Sequence, residues 1–186
     1  MKINDRVMLG LVAGFAGNLV KTAIDEISLR GKISQRSFRE TASGVWVDKR
    51  SEATDPKGQV LGSLFDFGMS SLGGVGVVHL LSKTGRDHVI AKGVVSGITI
   101  GSTITAALSV FPANKVRPKD AASNLSYMVA HAAYGVVVAA VAAYAGDPAL
   151  FDAAPINDYI PSDVLTTEEQ KMRDQAGRAH RPQGVH

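Results

Sequence analysis

The stretch VIAKGVVSGITIGSTITAALSVF, residues 89–111, decides the fold class of this chain. It runs for about 23 residues with a single charge, at Lys92. As an α-helix it would be roughly 35 Å long at about 1.5 Å per residue. Because the hydrocarbon core of a bilayer is roughly 30 Å thick and needs about 20 residues to cross, this stretch predicts a transmembrane helix.

Three other apolar blocks of similar length occur in the chain, and polar connections carry most of the charges between them. Hydrophobic residues make up only 45% of the whole because they are concentrated in these blocks. The sequence therefore predicts an all-α, polytopic membrane protein, with a bundle of four transmembrane helices in residues 1–146 and a polar tail at 147–186. The predicted spans are about 6–29, 58–81, 89–111 and 122–145.

The connections between the predicted spans differ in length. Residues 83–86 form a short polar turn and residues 112–118 a turn bracketed by prolines, so we expect antiparallel neighbours on either side of each. The connection 30–57 is long, polar and basic, and we expect it outside the bilayer with Trp46 as an interfacial anchor. The tail 147–186 is also expected outside, with one short helix and a disordered end.

The charge and the composition bear on the partners. The net charge is +3, and the chain has no cysteine, which excludes disulfides, thiolate metal sites and cysteine nucleophiles. Lys and Arg lie mostly beside the apolar blocks, as is usual next to anionic headgroups. We see no basic face with interleaved aromatic residues, so the expected partner is the lipid bilayer and not nucleic acid. The glycine-rich segment 74–79 lacks the third glycine of a dinucleotide loop, and the sequence shows no phosphate-binding loop, zinc-binding helix or nucleophile elbow, so no cofactor, metal site or catalytic residue is predicted.

The orientation and the beginning of the chain allow alternatives. Basic residues are more numerous on the side of the connection 30–57 than on the other side, which favours a cytoplasmic connection. Lys2 and Arg6 before an apolar core also fit a secretory signal peptide. The glycine-rich core and the helical periodicity up to Ile27 favour a membrane span instead.

Glycines recur at four-residue steps in the predicted spans. Gly93, Gly97 and Gly101 form one flat ridge on the third span. Helices in lipid associate through close packing at small residues and through hydrogen bonds between helices, because burial alone provides little driving force there. We therefore predict tight packing at these glycines, either within one bundle or in a homo-oligomer. The predicted packing glycines are Gly10, Gly14, Gly58, Gly62, Gly93, Gly97 and Gly101.

Lys21, Asp66 and His131 are ionisable residues inside the predicted spans, where such groups are costly unless they are paired or hydrated. Counted from the side of the long connection, each lies about eight or nine residues into its span, or roughly 12 to 14 Å deep. This coincidence predicts that Lys21 and Asp66 neutralise each other, with His131 beside them. Asp25 and Glu26 are expected near the headgroups. The other residues predicted in this buried polar centre are Asn18, Ser70, Ser102 and Thr103.

The first span also carries a family resemblance. The segment GLVAG at residues 10–14, followed by Val20 and Lys21, resembles the opening of small uncharacterised bacterial membrane proteins and is similar to the YagU family, which is associated with acid resistance. His79 and His131 extend the similarity more loosely. The resemblance implies a bacterial cytoplasmic membrane, and it brings no catalytic residues with it.

Three functions follow from these patterns. The first is a small transporter, channel or proton-linked component that uses the buried Lys–Asp–His centre, although a purely structural role of the Lys21–Asp66 pair is an equal alternative. The second is a structural or assembly protein that forms oligomers through its glycine-rich faces and binds a protein partner through residues 30–57 or 147–186. The third is a membrane enzyme acting on lipid, for which the sequence shows no acid–base or metal constellation.

Overall fold

Four long helices dominate the computed structural model, which describes residues 2–117, 120–153 and 162–179. These four are long and apolar enough to cross a membrane, and the described residues form no strands beyond one isolated bridge between Ile3 and Gly146. The predicted all-α fold class is therefore confirmed. The helices are α1 (Arg6–Arg30), α2 (Phe38–Ser43), α3 (Arg50–Thr54), α4 (Pro56–Thr84), α5 (Val89–Val110), α6 (Ala121–Ala145) and α7 (Thr167–Ala179), with a 3₁₀ turn at Pro148–Phe151.

Short polar side chains begin three of the long helices. Asp5, Asp55 and Asp120 each accept a hydrogen bond from the backbone N–H three residues later, at 2.6, 2.7 and 2.8 Å. Such an N-cap satisfies one of the N–H groups that the first turn of a helix leaves without a partner. At the other end of α4, Gly85 has a φ of 77°, a backbone conformation that residues other than glycine rarely adopt.

The four long helices pack in the order α4, α1, α6, α5. The turn predicted at 112–118 does join neighbours, since α5 packs mainly on α6. The same prediction for the turn at 83–86 is wrong, because α4 and α5 touch little. An open apolar groove of about 320 Å³ separates them, with Val77 and Val95 among its walls. The reason is that the glycine face of α5 is turned towards α6.

Glycines mark the close approaches between these helices. A Cβ atom added at Gly14 would overlap the backbone of Ser70, and one at Gly97 would overlap the carbonyl group of His131. The α1–α4 and α5–α6 contacts are therefore close backbone contacts, which side chains would prevent. Six of the predicted packing glycines lie against backbone within the chain, and the seventh, Gly101, lies against the His131 side chain; the six are Gly10, Gly14, Gly58, Gly62, Gly93 and Gly97.

The long connection folds back onto the bundle. A Cβ at Gly62 would overlap the backbone of Arg39 in α2, and one at Gly58 would overlap the backbone of α3. Phe38, at the start of α2, is only 5% exposed. Helix α2 therefore packs on the bundle, while the placement of residues 30–57 outside the bilayer stays a prediction. This short helix fills a position beside α4 that no long helix occupies.

The two ends of the described chain are tied to the bundle. The Ile3 N–H donates to the carbonyl of Ala145 at 2.9 Å, which joins the beginning of the chain to the end of α6. The His88 N–H donates to the carboxylate of Asp163 at 2.8 Å, so the tail returns to the turn between α4 and α5. A short helix, α7, follows in the tail. The predicted disordered end lies mostly outside the described residues.

Candidate functional site

Lys21 of α1 and Asp66 of α4 form an ion pair inside the bundle, with side chains that are 2% and 4% exposed. The Lys21 ammonium also donates to Ser70 Oγ at 3.2 Å. Burial strips both charges of water, and a close partner with further hydrogen bonds is needed to offset that cost. The structure thus brings together the two charges whose predicted depths coincide.

Asn18 orients Ser70 for this contact. The Ser70 hydroxyl donates to Asn18 Oδ1 at 2.8 Å, so its oxygen is left to accept from Lys21. The Tyr134 hydroxyl donates to the Ser70 carbonyl at 2.6 Å and links α6 to the same point of α4. Asn18 is completely buried, and its Nδ2 has no hydrogen-bond partner among the described residues.

Phe38 closes the polar centre on the side of the connection. Its ring centroid lies 4.6 Å from the Lys21 ammonium, which is the geometry of a cation–π contact. The same ring meets the imidazole of His131 at 5.0 Å and the ring of Tyr127 edge-on at 5.3 Å. Residues from α1, α2, α4 and α6 therefore share one buried layer. Phe38 lies in the connection and was not among the residues predicted for this centre.

His131 lies beside the ion pair without a hydrogen bond to it among the described residues. Its Nδ1 bonds to the Tyr127 carbonyl at 2.7 Å, and because a carbonyl only accepts, Nδ1 carries the proton. A Cβ added at Gly101 of α5 would meet its imidazole ring. His131 therefore forms the wall of the centre between Phe38 and α5.

Asp25 is a second buried carboxylate, only 2% exposed. One of its oxygens accepts the Phe38 N–H at 2.8 Å, and the other has no hydrogen-bond partner among the described residues. Asp25 thus belongs to the buried layer, where the sequence did not place it, whereas Glu26 is partly exposed and pairs with Arg39 at 2.7 Å. Their position relative to the headgroups stays a prediction. The four-residue spacing of Asp25 from Lys21, which puts both on one helix face, was the signal in the sequence.

Ser102 and Thr103 are not brought into the centre. Both are exposed on α5, where Ser102 donates to the sulfur of Met128 at 3.2 Å and Thr103 to the carbonyl of Thr99 at 2.8 Å. Thr105 is buried instead, at 6% exposure. Ser70, in contrast, bonds to Lys21 directly, and Asn18 is linked to the ion pair through Ser70.

The centre is built from charged and titratable groups. It holds one ammonium group and two carboxylates in a layer shielded by aromatic rings. Within residues 2–117, 120–153 and 162–179, no three His, Asp or Glu side chains are grouped so that they could hold a metal ion. Comparisons of the chain with protein-family models, curated proteins and solved structures found no match.

Proposed function

We propose that this protein is a small multi-pass membrane protein that binds and releases a proton at the Lys21–Asp66–Asp25 centre, as a proton-linked transport component. The observation that carries the proposal is the imbalance of charge in the buried layer. Asp25 and Asp66 bring two carboxylates, whereas Lys21 is the one fully buried Lys or Arg in the described part of the chain. An unbalanced charge away from water is costly, so the layer is most stable when one proton neutralises it.

The geometry supports Asp25 as the group that takes up the proton. The Asp66 carboxylate is bound to Lys21, and adding a proton there would break the ion pair. Asp25 has one oxygen without a partner, and a proton on that oxygen leaves the hydrogen bond from the Phe38 N–H in place. The surrounding bonds therefore change least when the proton binds at Asp25.

Protonation of Asp25 would also act on α2. The Phe38 N–H donates to the carboxylate, and Arg39 of the same helix pairs with Glu26, next to Asp25. A negative Asp25 attracts both the N–H and the guanidinium, and a neutral one attracts them less. Uptake of a proton should therefore weaken the packing of α2 over the centre. Proton binding would in this way be coupled to the access of water to the centre.

Infrared difference spectroscopy of the full chain in lipid tests this proposal directly. Between two pH values, a carboxyl C=O band should appear on acidification and be lost in Asp25→Asn. The matched control is Asp87→Asn, which removes a carboxylate paired with Lys92 at 2.7 Å outside the centre and should keep the band. Liposomes with a trapped pH dye should show proton flux that Asp25→Asn abolishes. A band unchanged in Asp25→Asn contradicts the proposal.

An assembly function is the second candidate, and one observation favours it. The outward face of α5 exposes Thr99, Thr103 and Ala107 at four-residue steps, and small residues allow a second helix to approach closely. The ridge Gly93–Gly101 is already covered by α6 and is therefore occupied within one chain. Oligomers would have to use the threonine face instead.

The mass of the particle in detergent distinguishes this candidate. Thr103→Leu should reduce an oligomer to the monomer, and Val12→Leu, on an exposed position of α1, should leave the mass unchanged. A monomeric wild-type protein, or an oligomer that Thr103→Leu does not affect, contradicts assembly through this face.

A further inference from the structure

An apolar groove of about 400 Å³ lies on the outer surface of α4 at the end near the long connection. Trp46 of the connection forms one wall, and Leu61, Leu64 and Phe65 of α4 form the other. The rings of Trp46 and Phe65 are in contact, with centroids 5.5 Å apart. Trp46 and Leu64 are 59% and 70% exposed, so the groove opens to the surroundings of the protein.

The face of α4 that carries the groove has a charged end and an apolar continuation. Lys57, Leu61, Leu64 and Gly68 follow one another at four-, three- and four-residue steps and share one side of the helix. In the described part of the chain nothing beyond its own turn of α4 lies within 4 Å of the point where a Cβ of Gly68 would be, so this glycine leaves a notch in the surface. The face thus begins with a cation and continues as an open apolar trough, which matches a phospholipid headgroup followed by its chain.

Three cations between Trp46 and the first turn of α4 have no salt bridge in the described ranges, whereas three carboxylates of the connection accept hydrogen bonds. Lys49, Arg50 and Lys57 are exposed, and none has a salt bridge in the described ranges. The Asp55 carboxylate caps the start of α4, and the Glu40 carboxylate accepts a hydrogen bond from an amide on α4. The Glu52 carboxylate accepts the Asp48 N–H at 3.4 Å, while the Asp48 side chain is exposed. The three cations are therefore available to an anionic ligand.

We infer that this Trp46 groove is a binding site for one anionic phospholipid. An acyl chain lies against Trp46, Leu64 and the notch at Gly68, and the phosphate of the headgroup lies at Lys57 with Lys49 and Arg50. The charge of the whole connection favours this occupant, since residues 30–57 contain seven Lys or Arg and four Asp or Glu. A zwitterionic lipid is discriminated against because its choline brings a positive charge to the same cations.

Trp46 is the chain's one tryptophan and therefore reports on its own groove. The full chain is reconstituted in phosphatidylcholine vesicles with increasing fractions of either brominated phosphatidylglycerol or brominated phosphatidylcholine, because bromine on an acyl chain quenches tryptophan fluorescence at contact. Brominated phosphatidylglycerol should quench Trp46 at a lower mole fraction, by about five-fold for each cation that contacts the headgroup. Salt should reduce the preference only in part, since the headgroup is in contact.

Variants separate a specific site from ordinary lipid contact. Lys57→Gln and the double variant Lys49→Gln/Arg50→Gln should each reduce the preference for phosphatidylglycerol. Lys83→Gln, an exposed cation in the last turn of α4, is the matched control and should keep it. Gly68→Leu fills the notch and should reduce quenching by both lipids.

Equal quenching of the wild-type protein by the two brominated lipids would show non-selective annular lipid only and would overturn the proposal, whatever the variants do. A preference that persists in both glutamine variants would overturn the assignment of the headgroup contacts.

Discussion

The ammonium group of Lys21 lies 4.6 Å from the centroid of the Phe38 ring, although Phe38 belongs to the connection between the first two long helices. The ring takes a place around the ammonium that water would fill at a surface. Its backbone N–H meanwhile donates to Asp25 at 2.8 Å, so one residue contacts two of the three charges of the centre. The stability of the centre therefore depends on α2 as well as on the long helices.

The substitution Phe38→Leu should reveal the cation–π contact. Leucine keeps most of the buried apolar surface and removes the aromatic face, so the loss should be about 2 kcal/mol, the size expected of a desolvated cation–π pair. Equilibrium unfolding in mixed detergent micelles measures this loss of stability. Phe111→Leu, at a position that is 48% exposed, is the control and should change stability by less than about 0.5 kcal/mol. Equal losses in the two variants would argue against the contact.

The Lys21–Asp66 pair should show strong coupling in a double-mutant cycle. Lys21→Met alone leaves a buried carboxylate without its cation and should cost about 3 to 5 kcal/mol, whereas Lys21→Met/Asp66→Asn should regain most of that loss. The matched control is Arg30→Met, which breaks a pair whose arginine is 80% exposed and should cost less than about 1 kcal/mol. Independent, additive losses at Lys21 and Asp66 would show that the two side chains do not interact in the membrane.

If the double variant folds normally and also keeps the proton-dependent infrared band and flux, the pair serves packing alone. The proposal then rests on Asp25 by itself. If stability returns and proton flux does not, the pair takes part in the proton-linked step.

Substitution by alanine at two glycines of the long helices should change the stability of the protein in opposite directions. Gly97→Ala places a methyl group against the carbonyl of His131, which is backbone and cannot move aside, so the expected loss is about 1 to 3 kcal/mol. Gly76→Ala has no atom within 4 Å of the new methyl group and should be neutral or stabilising by up to about 1 kcal/mol. Thermal unfolding of both variants in the same detergent checks this, and a stable Gly97→Ala protein would contradict the close α5–α6 contact.

Asp120, just before α6, should give the helix a pH-dependent cap. Hydrogen bonds from the Ser123 hydroxyl and N–H hold the pKa of the Asp120 carboxyl below its usual value of 3.8. A lowered pKa in the folded state means that the stabilisation is complete above the unfolded value and is lost as the pH falls through the folded value. Asp120→Ala should therefore cost about 1 kcal/mol at pH 7, and the difference from wild type should shrink below about pH 4.

Asp120→Asn separates the cap from its charge. Asparagine keeps an oxygen that accepts from Ser123 and has no titratable group, so its stability relative to Asp120→Ala should not vary over the same pH range. A difference that does vary would show that another carboxyl group is responsible.

The sequence predicted the depth of the polar groups along the helices better than the direction in which their side chains point. Counting residues from the helix ends placed Lys21 and Asp66 at one level, and they are bonded. The same count selected Ser102 and Thr103, which point away from the centre. A rise per residue gives depth, whereas the rotation of a helix depends on which face it packs.

The rotation of α5 could nevertheless have been derived from its glycines. Gly93, Gly97 and Gly101 face α6, and the next residue at the same four-residue step is Thr105, which is buried. Ser102 is about 100° away from that face. The position of α2 could not be derived in this way, because a six-residue helix has too little periodicity to show which side it buries.

The central place of α1 has a consequence for biosynthesis. Lys21 enters the lipid on the first span, and its partner Asp66 lies 45 residues later in the chain. At a translation rate of about 5 to 20 residues per second, roughly 2 to 9 s pass between the synthesis of Lys21 and that of Asp66. Asp25, one helical turn further on, is the carboxylate that accompanies Lys21 into the membrane during that interval, so the nascent helix carries its own counter-ion from the start.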